Sequence, residues 1–352
     1  MVWTVWSAFD QFRKNVVDLD PDQTKKARSS RDYLFEQIKG LARKNAQFPK
    51  IVSDYPFNDF GSFARKTKIQ PLDDIDFLII LNIDVENREV EKAYDNPYTY
   101  NLRFTKPNVY LLSSLPSMTL ERFSDNGYIN SNKILYCIRD NLSSISNYRY
   151  ANIKKTMQAV TLNLKSYSWV YDIVPAIPVK IYYYEHSNYP KSVISHFLIP
   201  NGYGQWIATD PRIDADNTTR VNSKHDGKFL PTLRLLKYWN SRINKPLSSY
   251  YFETLAIKVF EKAPKISDFP HAIKYFFDRC PYHIREFCPD PKNLGPNLDA
   301  HINWSDREKV IKAMNDTSRY AEYALNHESN SNYKEAIRFW QHIFGSNFPN
   351  YG

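Results

Sequence analysis

Residues 61–81 read Gly61-Ser62-Phe63-Ala64-Arg65-Lys66-Thr67-Lys68-Ile69-Gln70-Pro71-Leu72-Asp73-Asp74-Ile75-Asp76-Phe77-Leu78-Ile79-Ile80-Leu81. The run from Ile75 to Leu81 is apolar and short, which predicts a buried strand. Asp74 and Asp76 stand at its mouth. Residues i and i+2 of a strand point to one face, so these two carboxylates lie side by side, and Asp73 points to the other face. Adjacent carboxylates repel and raise each other's pKa unless a cation lies between them. A hard divalent ion with oxygen ligands meets that need, and Mg²⁺ typically combines few carboxylates with substrate phosphates. Upstream, Gly61-Ser62 precedes a predicted short helix. Glycine lets the backbone approach an anion closely, and Ser62 adds a hydroxyl at the helix start.

Working outward, a third carboxylate occurs in Trp169-Val170-Tyr171-Asp172-Ile173-Val174-Pro175-Ala176. An Asp among such neighbours is costly to bury unless it is paired or metal-bound. Three carboxylates from two strands, Asp74, Asp76 and Asp172, suffice for two metal ions: one to activate a hydroxyl, the other to neutralise leaving phosphates. Leu235-Leu236-Lys237-Tyr238-Trp239-Asn240 puts Arg234 and Lys237 three apart on one helical face. Ser248-Ser249-Tyr250 then opens the next predicted helix. A helix-start serine with a lysine makes a triphosphate clamp, and Tyr250 can stack on a base.

Composition narrows the setting. The chain has 352 residues, 47 Lys+Arg against 38 Asp+Glu, a net charge of +9, and 42% hydrophobic residues. That is a globular chain long enough for two domains or one bilobal unit. Only 9 residues are glycine. No GxGxxG occurs, because Ile207 follows Gly202 and Gly204 where a third Gly is required. No Walker loop occurs either, because Gly227-Lys228 runs into Phe229. Nucleotide phosphates, if bound, are held by neither common loop. The three cysteines (Cys137, Cys280, Cys288) form no CxxC pair and no disulfide framework, which points to a reducing compartment. Met1 to Lys14 lacks the basic run and apolar core of a signal peptide, and no apolar stretch is long enough to span a membrane. The expectation is a cytoplasmic protein without a membrane partner. The positive charge suits anionic partners such as nucleotides or nucleic acid, and equally a basic surface without meaning.

The expected fold class is α+β. Helix is predicted over 1–48, with its strongest part from Asp20 to Asn45, where Asp20-Pro21 marks a start. Phe48 to Phe60 reads as loop, residues 84–110 resist assignment, and a helix is predicted at 133–141. β-like runs cover 159–164, 168–174 and 179–184. Helices follow at 229–243, 249–262, 268–279, 305–326 and 332–344. The first two-thirds is thus mixed, with an antiparallel-looking sheet, and the last third is helical. The segments expected are N-terminal spine helices over 1–50, an α/β core over 51–225 and a helical lobe over 226–352. The terminal Asn350-Tyr351-Gly352 is expected to be flexible.

The pattern GS-x2-R-x-T-x-I-x-P-x2-D-I-D resembles the nucleotidyltransferase superfamily with the DNA polymerase β-like core. More narrowly it resembles the bacterial CD-NTases, relatives of cyclic GMP-AMP synthase and oligoadenylate synthase. Asp172-Ile173-Val174-Pro175-Ala176 is similar to the family's third-Asp strand, and Trp206 to Pro211 to its W-x2-T-[ND]-P segment. Leu236 to Asn240 resembles its lysine helix, Ser248 to Glu253 its serine helix, and Trp340 to Pro349 its closing motif. The resemblance spans residues 20 to 350 in family order. It departs where Lys66 stands at a position often Gly, and Tyr251 at one often His.

The resemblance implies a bilobal core with a mixed sheet and a C-terminal helical lobe. It implies that Asp74, Asp76 and Asp172 are catalytic and bind two Mg²⁺ ions, with Mn²⁺ able to substitute. Gly61 and Ser62 would hold the triphosphate, helped by Lys237 and Ser249, with Tyr250 on the nucleobase. Activity would join NTPs, ATP or GTP among them, into a cyclic di- or trinucleotide with release of pyrophosphate. In bacterial anti-phage (CBASS) systems the product activates a separate effector, and operon-encoded regulators or enzymes that conjugate a C-terminal Gly, here Gly352, are further partners.

Plainer readings stand beside these. An isolated DxD is more often a solvated turn, and the upstream Gly-Ser with the downstream Asp172 is what favours a site. Tyr250 reads equally as packing or as a stacking platform. Cys280, His283, Cys288 and His271 lack the second tight pair of a zinc site, so buried thiols are expected. Two rival functions remain: a linear nucleotidyltransferase acting on RNA or tRNA ends, and a nucleotide-binding sensor without turnover.

Overall fold

The computed structural model describes residues 2–52, 60–82, 85–86, 90–103, 121–183, 191–244 and 246–352. The helices are α1 (Val5–Phe12), α2 (Pro21–Lys44), α3 (Gly61–Ala64), α4 (Ser131–Leu142), α5 (Pro211–Lys224), α6 (Phe229–Arg242), α7 (Ser249–Glu261), α8 (Phe269–Arg285), α9 (Trp304–Ser329) and α10 (Tyr333–Phe344). The strands are β1 (Asp74–Ile80), β2 (Val85–Glu86), β3 (Val90–Lys92), β4 (Thr99–Leu102), β5 (Ser124–Asp125), β6 (Tyr128–Ile129), β7 (Asn152–Lys155), β8 (Val160–Asn163), β9 (Val170–Tyr183), β10 (Lys191–Pro200) and β11 (Trp206–Thr209). The class is α+β, as expected.

The chain forms two compact units, and neither is one continuous segment. One gathers 1–24, 65–71 and 213–352; the other gathers 25–64 and 72–212. The consecutive division at 50 and 225 is therefore not how the chain is partitioned. The reason lies in the core of the first unit. Phe9 of α1 is fully buried, and its ring meets Trp340 at 4.9 Å, Phe344 at 5.9 Å and Phe348 at 5.1 Å. The first helix is thus a packing partner of the last one. Thr4 caps α1 by accepting from the Ser7 amide at 3.1 Å, while Ser7 reciprocates. The chain then passes through a π-helical turn, Arg13–Val17, before α2. The C-terminus is tied down. Tyr351 meets Trp3 edge to face at 5.2 Å, and the Gly352 amide donates to the Val2 carbonyl at 3.0 Å. These contacts replace the expected flexible tail.

The second unit is built on a sheet that holds nine strands among the described residues, in the order β3-β4-β11-β10-β9-β8-β7, with β1 and β2 also on β9. Its central strand β9 spans 14 residues. The first half of β9 lies between β1, parallel to it, and β8, antiparallel. The second half lies between β10, antiparallel, and β2, parallel. Sequence reading divides this strand into two runs because Pro175 and Pro178 interrupt it. Proline removes a ladder donor and normally argues against a central strand. Here the prolines sit where the neighbours change over, opposite Ile79 and Phe197. Leu78, Ile80, Val174, Ala176, Phe197 and Ile199 pack as an apolar cluster on the sheet.

Helix α5 is absent from the sequence expectations. Its buried positions, Pro211, Asp214, Thr218 and Val221, recur at helical spacing, but two of the four are polar. Hydropathy cannot show such a face. The Asp210-Pro211 pair is the same start signal as Asp20-Pro21 and was available.

The dependence of the helical unit on α1 gives a stability prediction. Phe9→Ala should lower unfolding free energy by about 3–5 kcal/mol, as for other fully buried Phe truncations, measured by denaturant titration.

Candidate active site

The acidic residues are set by strand register. In β1 the even positions Asp74 and Asp76 are half-buried, and the odd ones, Ile75 and Phe77, face the core. Parallel pairing places Asp76 directly opposite Asp172 and Asp74 opposite Val170. Cross-strand partners point to one side of a sheet, so the three carboxylates share one face. On the far side of β9, Thr161 of β8 stands opposite Asp172 and donates its hydroxyl to Asp172 Oδ1 at 2.6 Å. Asp76, Asp172 and Thr161 thus form one row across three strands. Sequence reading found the carboxylates and missed Thr161, whose role depends on a register that spacing cannot reveal.

Gly61 opens the single-turn helix α3 with φ +74°, a conformation that favours glycine. A Cβ on Gly61 would lie 2.7 Å from Asp76 Cβ and run into the carboxylate itself. So the sequence expectation that Gly61 permits close approach holds in an unforeseen form. The group that comes close in the structure is the Asp76 side chain. Ser62 follows in the same turn, and Asp74, Asp76 and Ser62 all have polar partners of their own.

This donor set suits a hard divalent cation. Three carboxylates share a face on strands about 4.8 Å apart, and the bare Cα of Gly61 lets the Asp76 carboxylate lie against its turn. As they stand, the side chains are not drawn together. Among the described residues no three His, Cys, Asp or Glu side chains are gathered into a metal-holding group.

Lys237, Ser249 and Tyr250 belong to the other compact unit. Lys237, on α6, is buried, and its Nζ lies 2.5 Å from Glu253 Oε1. Glu253, on α7, is equally buried and also accepts from Arg65 at 3.0 Å and from Thr67 at 3.1 Å. One carboxylate therefore serves two cations and a hydroxyl. Burial disfavours the Arg65 charge, but Glu253 more than offsets it, and the guanidinium pKa lies above its ordinary value. Ser249 is the first residue of α7 and is exposed. Glu253 follows it by one helical turn on the same face.

Tyr250 is held from two sides. Its hydroxyl donates to Asp214 at 2.7 Å, and Lys292 Nζ lies 4.0 Å from its ring centroid. Asp290 pairs with Lys292 at 3.0 Å. Burial raises the Asp214 pKa although Lys292 and the Tyr250 hydroxyl oppose it. Tyr250, Asp214, Arg65, Glu253 and Asp290 line a cavity of about 330 Å³. Of the groups missed by sequence reading, Arg65, Thr67 and Glu253 lie inside the quoted motifs, whereas Asp214, Asp290 and Lys292 carry no local signal.

Of the two departures from the family pattern, Lys66 has a structural account and Tyr251 has none. Lys66 adopts φ +61°, the backbone region that favours glycine, and its carbonyl accepts from Arg234 at 2.8 Å. Tyr251 is buried in the helical core, and its hydroxyl has no hydrogen-bond partner among the described residues. Cys280 and Cys288 are buried free thiols, as expected.

No family model matches the chain. Its sequence is 33% identical over 351 residues to a probable cyclic nucleotide synthase of Bacillus cereus (strain VD146), covering 100% of this chain and 99% of that one. The fold matches that of CdnC in the Escherichia coli MS115-1 CdnC:HORMA-deltaN complex with a TM-score of 0.63 at 17% identity, over 98% of each chain. It also matches Vibrio cholerae DncV cyclic AMP-GMP synthase, in complex with the linear intermediate 5′ pppA(3′,5′)pG, with a TM-score of 0.63 at 12% identity, over 100% of this chain and 98% of that one. At these identities the two structures speak to fold alone.

Two substitutions separate site geometry from folding. Gly61→Ala should leave the fold intact but displace Asp76, lowering turnover about 100-fold, the scale expected for a misplacement of about 1 Å. Lys66→Gly removes left-handed strain and adds chain entropy when unfolded, so stability should rise by at most about 1 kcal/mol. Thermal melts with steady-state assays check both.

Proposed function

From the premise that this chain belongs to the bacterial CD-NTase family and is a nucleotidyltransferase, we propose that it joins NTPs into a cyclic di- or trinucleotide and releases pyrophosphate. The observation that carries this reading is the single face shared by Asp74, Asp76 and Asp172, with Gly61 packed against Asp76.

Asp74, Asp76 and Asp172 would hold two Mg²⁺ ions, with Mn²⁺ able to substitute. When bound, such ions lower the pKa of an attacking ribose hydroxyl and neutralise the charge on departing pyrophosphate. The chain's own residues do the rest. Thr161 fixes the Asp172 carboxylate by its hydroxyl. Gly61 and Ser62 accommodate the triphosphate through backbone and hydroxyl. Lys237 and Ser249 are assigned to the triphosphate by their motifs rather than by position, and Tyr250 to the base by stacking on the ring face away from Lys292. The linear intermediate then rebinds and is closed by the same chemistry.

Family membership supports the proposed setting: ATP or GTP among the substrates, operon-encoded regulators, an effector that reads the product, and a role in anti-phage (CBASS) defence. Gly352 as a target of conjugating enzymes belongs to the same reading. It requires release of the Gly352–Val2 and Tyr351–Trp3 contacts. No helix among the described residues is long and apolar enough to cross a membrane, and the three cysteines are free, which suits the cytoplasm.

The test is incubation of the protein with labelled NTPs and Mg²⁺, followed by phosphatase and mass spectrometry. A phosphatase-resistant cyclic product is expected, abolished by Asp74→Ala with Asp76→Ala. Extension of an RNA primer would favour the linear rival, and tight NTP binding without pyrophosphate release the sensor.

A further inference from the structure

The Glu253 carboxylate meets Lys237, Arg65 and Thr67 together. Its two oxygens are divided between them. Oε1 accepts from Lys237 at 2.5 Å and from Thr67 at 3.1 Å, and Oε2 accepts from Arg65 at 3.0 Å. The Lys237, Arg65 and Glu253 side chains are 7%, 12% and 5% exposed, so this cluster sits largely out of water. It also joins three separate pieces of chain: α6, α7 and the segment that follows the Gly61-Ser62 turn.

We propose that Glu253 is a positioning residue, which holds the Lys237 ammonium at a fixed place for the substrate triphosphate. The inference rests on the assignment of Lys237 to the triphosphate made above. An unheld lysine spreads its charge over many rotamers, and fixing it in advance lowers the ordering cost when an anion binds. An ammonium has three donors, and one bond to Oε1 leaves two for phosphate oxygens. The same carboxylate keeps Arg65 from repelling Lys237, because each cation is bound to its own oxygen. Glu253 lies one turn behind Ser249 on a single face of α7, so the lysine is held in register with the serine helix. An amide cannot replace the carboxylate: it accepts at oxygen only, and its N–H₂ would face one of the two cations. Aspartate keeps both acceptors but is one methylene shorter and cannot reach both cations.

The test uses the full-length protein and tripolyphosphate with Mg²⁺, a probe that carries the triphosphate without a base. Affinity is read by calorimetry for the native protein, Glu253→Gln, Glu253→Asp, Lys237→Ala and the Lys237→Ala, Glu253→Gln pair, with thermal melts alongside. Lys237→Ala should weaken binding at least tenfold, Glu253→Gln by a similar factor, and the pair no further than Lys237→Ala alone. Glu253→Asp should fall between native and Glu253→Gln, and it carries the test if Glu253→Gln does not fold. A purely structural Glu253 would lower the melting temperature but multiply its effect with that of Lys237→Ala. That result overturns the proposal. So does unchanged or tighter binding by the folded Glu253 variants while Lys237→Ala weakens it, since the carboxylate would then be idle or a competitor. Native-like binding by Lys237→Ala instead removes the triphosphate assignment itself, and the Glu253 role with it.

Discussion

The parallel pairing of β1 with β9 is the constraint on which the acidic site depends. It sets Asp76 opposite Asp172 and, two residues back, brings Asp74 to the same face. A slip of one residue would send one set of carboxylates to the core side, where Ile75, Phe77 and Ile173 are packed. The buried apolar face therefore fixes the register, and the register fixes the chemistry on the opposite face. Gly61 is subordinate to that arrangement. Its missing side chain lets the turn before β1 lie against Asp76.

The other compact unit uses electrostatics in a different way. Lys237 is a buried cation and Arg65 a half-buried one, and both are tolerable because Glu253 pairs with each. Tyr250 is likewise fixed by Asp214 and by Lys292, which Asp290 pairs with in turn. Lys237 sits on α6, and Tyr250 and Glu253 on α7, helices whose apolar sides belong to one core with α1 and α10. Rigid packing below and paired charge above give side chains defined positions without a bound ligand. The +9 net charge is not concentrated in this cluster, where cations and carboxylates alternate, so it explains little of the site.

Much of the helical third was legible because its buried faces are apolar and recur at helical spacing: α6, α7, α9 and α10 all begin and end close to where periodicity places them. Two failures share one cause, in that the usual local signal was inverted. In β9 two prolines lie inside a central strand, at the point where its neighbours change. In α5 the buried face carries Asp214 and Thr218, whose polar groups find partners only in the folded chain. Residues 53–59, most of 84–89 and 104–120 fall outside the described structure, and the expectations that touch them are untouched by it.

By itself the sequence determined what is local. The DxD at a strand mouth, the Gly-Ser turn before it and the lysine and serine helices are patterns of neighbouring residues, so spacing alone can carry them. Only tertiary structure decided which residues stand across from them. Thr161 beside Asp172, Gly61 against Asp76, and Glu253 between Lys237 and Arg65 join residues on different elements, from 11 residues apart to 188. Such pairings depend on strand register and on the packing of helices, quantities that no stretch of sequence encodes alone.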